Sequence, residues 1–193
     1  MVYDKVPQFG EQAPEDTEVP GFGEQVDDGE ASISPEVRFD SKTGTLLLGV
    51  GTSESVDPAF KAKIEGQGFT AKDELHVTVL GFKQGGKLKK LLKRRPELSE
   101  EIAALAGTVE WGLQPTGEHY VLTKEVEGED PKQSVIEIVE CPGGAEFIQR
   151  LNEITGLDLE EQPPHVTLAT KGDPRGIGVN TAQDLEAMSQ RLD

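Results

Sequence analysis

Two tetrapeptides of the chain share one pattern: His76-Val77-Thr78-Val79 and His165-Val166-Thr167-Leu168. In a β-strand, side chains at positions i and i+2 lie on one face and those at i+1 and i+3 lie on the other. Each tetrapeptide therefore predicts a half-buried strand that presents an imidazole and a hydroxyl together, above two apolar residues that face a core. Two of the chain's three histidines occur in this pattern. Composition alone does not explain that repetition, which indicates a chemical role.

A longer internal repeat accompanies the two tetrapeptides. The histidines are 89 residues apart (165 minus 76), and the same shift aligns the apolar run 45–50 with 134–139. Helix-like segments lie between the strands of each copy, at Pro58 to Ile64 and at Ala145 to Ile154. The repeat predicts an α+β, bilobal fold of two strand–helix–strand units, at about 45–82 and 134–170, each of the length of a parallel crossover unit, with a cleft between two sheets. A chance alignment of strands in an ordinary α/β chain is the alternative.

The paired His-x-Thr motifs resemble those of the 2H phosphoesterase superfamily. That superfamily includes RNA 2′,3′-cyclic phosphodiesterases and phage enzymes that degrade cyclic-oligonucleotide immune messengers. The resemblance covers residues 45 to 170, and the C-terminal part is similar to RNA-repair-like members. It implies a pseudo-symmetric fold in which His76 and His165 are the catalytic acid/base pair and Thr78 and Thr167 bind phosphate. It also implies that the reaction uses no metal ion and no cofactor.

The residue types in the motifs fit this chemistry. Opening a cyclic phosphodiester needs a base for the nucleophile and an acid for the leaving oxygen, and a histidine that titrates near pH ~6.5 can serve as either. Threonine hydroxyls can donate hydrogen bonds to the non-bridging oxygens, where charge gathers in the transition state. The sequence does not decide which histidine is the base.

Several functions remain open at this point. An RNA 2′,3′-cyclic phosphate end is the favoured substrate, and a cyclic oligonucleotide is the second choice. A non-catalytic module that binds RNA ends is a different class of answer. A metal hydrolase that uses the same histidines is another. A structural role is the remaining alternative: two core histidines beside ordinary strand threonines. This interpretation would be the simplest for a single His-x-Thr motif, but the presence of two such motifs makes it less favourable.

Three further residues are candidates for substrate contacts. The segment Lys83–Arg95 contains seven bases and no acids, so a helix bearing Lys87 could guide a nucleic-acid backbone, or could be a solvated face. Trp111 and Tyr120 lie on two candidate strands, 108–113 and 118–126, joined by a turn at 115–117. An aromatic ring near the phosphate could stack on a base, and packing in the core is the alternative for each.

The composition divides the chain into a tail and a domain. Residues 1–36 hold ten acids and a single base, Lys5, in a protein of net charge −17. This predicts an acidic disordered tail at 1–36 and one domain at 37–193. The tail repeats Val6-Pro7-Gln8-Phe9-Gly10-Glu11-Gln12 as Val19-Pro20-Gly21-Phe22-Gly23-Glu24-Gln25. A docking motif for a protein partner and a linker without a binding role are both compatible with this repeat.

The remaining predictions concern the C-terminus and the cellular context. Thr181 is a candidate N-cap for a C-terminal helix over 181–192. The single cysteine, Cys141, excludes an internal disulfide and fits a reducing compartment. The absence of a long apolar run predicts a soluble, cytoplasmic protein that does not enter a membrane. We expect a monomer.

Overall fold

The structure, a computed structural model, describes residues 33–192. Positions 1–32 of the predicted tail therefore lie outside the described residues. Positions 33–36 are described: Ile33 forms a β-bridge with Leu113, and the first strand begins at Glu36. The described residues thus include the last four positions of the segment 1–36 that the composition assigned to the tail.

The described residues form an α+β fold with five helices on an eight-stranded antiparallel sheet. The strands lie in the order β1-β2-β4-β7-β6-β5-β8, and β3 pairs with β7. The strands are β1 (Glu36–Asp40), β2 (Thr45–Thr52), β3 (Thr70–Ala71), β4 (Glu74–Leu80), β5 (Gln114–Lys124), β6 (Lys132–Glu140), β7 (His165–Lys171) and β8 (Ser189–Arg191). The helices are α1 (Pro58–Gly66), α2 (Phe82–Leu92), α3 (Leu98–Thr108), α4 (Pro142–Thr155) and α5 (Ala182–Met188).

The α+β class agrees with the sequence prediction, but the arrangement of strands differs from it in two ways. The strands form one sheet instead of two sheets with a cleft between them. Within each strand–helix–strand unit, the two long strands pair antiparallel rather than as a parallel crossover. The connections from β2 to β4 and from β6 to β7 are long enough for either arrangement, so their length did not distinguish them.

The two units pair their strands in the same register. In the first, Leu47, Leu48 and Gly49 of β2 face Thr78, Val77 and His76 of β4. A shift of 89 residues turns these pairs into those between β6 and β7, where Ile136, Glu137 and Ile138 face Thr167, Val166 and His165. The repeat that the sequence predicted from spacing is therefore also a repeat of the strand pairing.

Each motif ends in a β-bulge at the same position. In β4, Val79 lies between the paired residues Thr78 and Leu80, whose partners on β2 are adjacent in sequence. Leu168 has the equivalent place in β7. A bulge adds one unpaired residue and bends its strand, and bulges are frequent beside active sites.

The two faces of the sheet are covered differently. The main core contains Val77 and Val166 together with apolar residues of α1, α2, α3 and α4, and so these four helices lie on that face. A smaller apolar cluster around Ile136 and Ile177 packs the C-terminal segment and α5 on the other face, over β5 and β6. Among residues 33–192, no helix is long and apolar enough to cross a membrane.

Two predicted elements have different bounds in the structure. The segment 108–113 is not a strand, and β5 runs without interruption through the predicted turn at 115–117. There the hydroxyl of Thr116 donates to the carbonyl of Ile138, so the Pro-Thr-Gly sequence forms an irregularity within the strand. Thr181 caps α5 as predicted, but the helix ends at Met188, because the following residues pair with β5 as β8.

Two neighbouring glycines of α2 provide a test of how this helix packs against the turn between β1 and β2. The backbone of Gly85 lies against that of Gly44 in the β1–β2 turn, and a Cβ on Gly85 would stand 2.8 Å from the Gly44 carbonyl oxygen. A Cβ on Gly86 would meet no atom within 4 Å. Gly85→Ala should lower the free energy of unfolding by about 1–3 kcal/mol through overpacking. Gly86→Ala should raise it by about 0.5–1 kcal/mol through helix propensity. Urea denaturation of both variants measures the difference, and equal effects would contradict the close contact.

Candidate active site on the central strands

The two His-x-Thr motifs lie side by side in the middle of the sheet. Their strands, β4 and β7, are neighbours, and Val77 pairs with Val166 between them. Because paired residues of an antiparallel ladder point to the same face, the residues on either side of each valine point to the opposite face. His76, Thr78, His165 and Thr167 therefore share the face that is not covered by the four helices α1 to α4.

The strand pairing also fixes which of these side chains are neighbours. One position from the Val77–Val166 pair, His76 lies beside Thr167 on one side, and Thr78 lies beside His165 on the other. In regular antiparallel pairs, facing residues have Cβ atoms about 4.5–5.5 Å apart and diagonal ones about 7–8 Å apart. The two imidazoles are close enough for a charge on His165 to lower the pKa of His76. The structure thus brings together all four residues that the motifs predicted as a site.

His165 is buried and has a defined hydrogen bond. Its side chain is 8% exposed, and its Nδ1 atom is 2.8 Å from the carbonyl oxygen of Pro163. A carbonyl only accepts hydrogen bonds, so Nδ1 carries the proton and Nε2 of the neutral ring holds the free lone pair. Burial lowers the pKa of His165 below its ordinary value, and the hydrogen bond to Pro163 opposes this in part. The resting ring is a neutral base whose Nε2 can accept a proton.

His76 is only half-buried and has charged neighbours. Its pKa is lowered chiefly by burial and next by the positive charge of Lys72, with smaller contributions from Arg38 and His165. The carboxylate of Glu74 acts in the opposite direction and raises the pKa. Glu74 is therefore a nearby anion that can stabilise the protonated form of His76. No carboxylate contributes to the pKa shift of His165.

The difference in burial follows from the residue that faces each histidine across the ladder. Ile138 of β6 faces His165, whereas Gly49 of β2 faces His76 at the equivalent position. An isoleucine side chain excludes water from the neighbouring ring, while a glycine leaves the ring open. A Cβ on Gly49 would stand 3.2 Å from a guanidinium nitrogen of Arg38, so the glycine also makes room for this arginine.

Both threonines are half-buried, and neither hydroxyl is hydrogen-bonded to another side chain or backbone group of residues 33–192. Gly176, which follows β7 in the chain, lies beside Thr167: a Cβ on this glycine would be 3.5 Å from the threonine Cγ2. Its φ of +83° favours glycine, and so the C-terminal segment can approach the strand closely here. One edge of the site is thus formed by the segment after β7.

Two cations near His76, Arg38 and Lys72, were not identified from the sequence. Arg38 of β1 lies between Glu36 and Glu74, at 2.9 Å and 3.1 Å. Lys72 donates from Nζ to the carbonyl oxygen of Pro174, at 2.8 Å. The alternation Glu36-Val37-Arg38-Phe39-Asp40 is typical of a strand, but the predicted strands begin at 45 and do not include β1. No sequence pattern indicated that Lys72 lies near His76, because its position depends on the turn between β3 and β4.

The three candidate substrate contacts have different environments. Trp111 is 4% exposed and packs against Phe147, with ring centroids 5.4 Å apart, and so belongs to the core rather than to a surface that faces a ligand. Tyr120 is half-buried, and its partner Ile136 also pairs with Thr167, which places Tyr120 on the histidine face two strands away. Lys87 donates to the carbonyl oxygen of Asp158, at 3.1 Å, in the connection before β7.

The basic helix does not share a face with the histidines. Its buried residues Leu88 and Leu92 belong to the main core, which also contains Val77 and Val166. Helix α2 therefore covers the face of the sheet opposite His76 and His165. A nucleic-acid backbone bound along α2 would not lead directly onto the motif residues.

Comparisons with protein-family models, with curated proteins and with solved structures give no match for this chain. Within residues 33–192, no group of three or more His, Cys, Asp or Glu side chains is arranged to hold a metal ion. The interpretation of the site rests on its own geometry and on the resemblance of its motifs.

The protonation states of the histidines can be measured directly. In long-range ¹H–¹⁵N spectra recorded from about pH 5 to about pH 8, both His76 and His165 should titrate below the ordinary value of about 6.5, because burial disfavours the charged rings. The neutral form of His165 should show a protonated Nδ1. His165→Gln assigns the signal. A midpoint for His165 above about 7 would contradict the buried, neutral ring.

Proposed function

We propose that this protein is a metal-independent phosphoesterase that opens a cyclic phosphodiester on a nucleotide substrate by two-histidine acid/base catalysis. The carrying observation is the pairing of Val77 with Val166, because it places both His-x-Thr motifs on one face with matching neighbours. Two isolated core histidines would not require the same strand register, the same bulge and the same face. We favour an RNA 2′,3′-cyclic phosphate end as the substrate.

The repeated register supports a pseudo-symmetric relation between the two halves of the sheet. We infer that β1, β2 and β4 form one lobe and that β7, β6 and β5 form the other, as the resemblance to 2H phosphoesterases implies. Under this relation, the pair Val77–Val166 maps onto itself, since the two residues are 89 positions apart. A phosphate placed over this pair would meet one histidine and one threonine from each lobe.

The proposed reaction begins with water attacking the phosphorus atom in line with the bond that breaks. Nε2 of His165 takes the proton of the water, since the hydrogen bond to Pro163 leaves this nitrogen as the acceptor. Protonated His76 donates to the leaving ribose oxygen; the adjacent Glu74 favours its charged form against the opposing effects of burial and of Lys72. The hydroxyls of Thr78 and Thr167 donate hydrogen bonds to the non-bridging oxygens. The product is a phosphomonoester with a free ribose hydroxyl, and one proton has moved from water to that hydroxyl.

The surroundings of the site favour a strand end or a small nucleotide over a long RNA tract. Lys72 and Arg38 lie at one edge and can attract a phosphate. Tyr120 lies on the same face and is a candidate to stack on a base. The basic helix α2 is on the other face, so its charges do not extend the site along a polyanion.

The histidine variants test the acid/base pair. His76→Ala and His165→Ala should each lower kcat on an RNA 2′,3′-cyclic phosphate by about a hundredfold or more, the usual range for a general acid or base. The double variant should be little worse than either single variant, because residues that act as a unit are not additive. Product analysis by mass spectrometry with isotopically labelled water identifies the bond that opens.

His119→Ala is the matched control, because this third histidine lies on the opposite face and should leave turnover unchanged. Full turnover in either motif variant would remove that histidine from the mechanism. Binding of the RNA end without turnover by the unaltered protein would favour the non-catalytic module instead. Turnover of a cyclic oligonucleotide but not of RNA ends would retain the chemistry and change the substrate.

Chelation tests the role of metal ions. A pair of imidazoles supplies both proton transfers, so hydrolysis should continue at an unchanged rate in excess EDTA. The measurement is initial rate against chelator concentration, followed by addition of single divalent ions. Loss of activity in EDTA that one divalent ion restores would overturn the two-histidine mechanism and favour the metal hydrolase.

A further inference from the structure

A cavity of about 450 Å³ lies on the helical face of the sheet, behind the candidate active site. Its floor includes Val77 and Val166, the residues that join β4 to β7. The walls are largely apolar and include Val139, Leu113 and Phe60 of α1. Since a cavity of about 150 Å³ accepts a benzene ring, this one has room for an aromatic side chain and its apolar neighbours.

The cavity lies beside α1, which is shorter than its counterpart α4. The two helices end at equivalent positions, Gly66 and Thr155, which are 89 residues apart. Helix α4 begins at Pro142, whereas α1 begins at Pro58, five residues later in the equivalent frame (58 plus 89, minus 142). Pro58 of α1 holds the position equivalent to the buried Phe147 of α4, and α1 has only Ile64 fully buried. No counterpart of the Phe147 ring therefore comes from α1, and the space over Val77 and Val166 is left unfilled by residues 33–192.

The chain enters the described structure at this cavity. Ile33 lines the cavity, and its amide donates to the carbonyl oxygen of Leu113 at 3.0 Å. The preceding segment carries the sequence Val19-Pro20-Gly21-Phe22-Gly23, five uncharged residues within an acidic stretch. Phe22 precedes Ile33 by 11 residues (33 minus 22), which is enough for the chain to reach back into the cavity.

The other half of the sheet shows how such a segment can be used. Trp111-Gly112 precedes β5, the strand that pairs with β6, and Trp111 packs on Phe147 of α4. Strand β1 pairs with β2 in the same way, and the aromatic–glycine pair Phe22-Gly23 precedes it in the chain. In both halves, an aromatic residue that precedes the strand (β1 or β5) would thus fill the space beside the helix (α1 or α4).

We propose that the segment Val19–Gly23 binds in this cavity, with the ring of Phe22 over Val77 and Val166. The polar groups at the rim are compatible with an uncharged occupant. The Asp57 carboxylate accepts from the Phe60 amide, and the Glu137 carboxylate accepts from the Gly117 amide. His119 lies 4.0 Å from Glu137 and stacks on Phe60, which closes one side of the rim. Glu18 and Glu24 flank the segment and would remain outside.

Phe22 is favoured over Phe9 because it forms the shorter loop to Ile33, and the entropic cost of closing a loop grows with its length. The occupant packs against the strand pair from the face opposite the histidines. It therefore stabilises the junction between the two halves of the sheet without contacting the substrate. This inference does not depend on the proposed phosphoesterase activity.

Photocrosslinking in the full-length chain tests the contact. A p-benzoyl-phenylalanine replacing Phe22 should form crosslinks within the molecule, to the peptides around Phe60, Leu113 or Val139, at a yield independent of protein concentration. The same probe replacing Gln25 is the control and should give little of this product. Crosslinks to other surfaces, or crosslinks that depend on protein concentration, would overturn the proposal. A cavity product from Phe9 in place of Phe22 would overturn the assignment of the segment.

Amide hydrogen exchange in the full-length protein is the second measurement. Phe22→Ala should speed exchange of the Ile33 amide about tenfold or more, because loss of the buried ring weakens local packing at the cavity mouth. Gln25→Ala should not change it. Equal exchange in Phe22→Ala and the unaltered chain would show that Phe22 does not occupy the cavity. Both readouts are independent of catalysis, so they distinguish failure of this proposal from failure of the proposed function.

Discussion

The pairing of Val77 with Val166 at the centre of the sheet is the contact on which the rest of the arrangement depends. It joins the two halves of the sheet, and it places both valines in the core. Strand alternation then requires the histidine and threonine of each motif to point to the other face. A slip of one residue in this pairing would bury the polar groups and expose the valines, so the hydrophobic core itself specifies the composition of the site.

The two halves use the same register but create different environments for their histidines. Ile138 shields His165 from water, whereas Gly49 leaves His76 open and makes room for Arg38. Burial lowers the pKa of both rings; Glu74 opposes the shift at His76, and the hydrogen bond to Pro163 opposes it at His165. A repeated pattern can thus give one buried imidazole and one more accessible imidazole. That difference comes from the neighbouring strand and not from the motif.

The sheet separates two kinds of surface. Arg38, Lys72 and the motif residues lie on one face, while helices α1 to α4 and the cavity lie on the other. The basic charges of α2 are on the helical face, and so they cannot guide a ligand straight to the histidines. Val77 and Val166 lie between the two surfaces, because they form part of the cavity floor on one side and are adjacent to the histidines in the chain.

The sequence by itself determined what depends on local periodicity: the two half-buried strands, the 89-residue repeat, the α+β class and the shared face of the histidine and threonine within each motif. Tertiary structure decided the features that depend on distant partners. Pairing of β4 with β7 made one sheet instead of two, pairing of β8 with β5 ended the last helix at Met188, and packing against Phe147 placed Trp111 in the core. For the same reason, the sequence did not predict the positions of Arg38 and Lys72 or the presence of the cavity. Alternation fixes which way a side chain points, but only the pairing of strands far apart in sequence fixes what it meets.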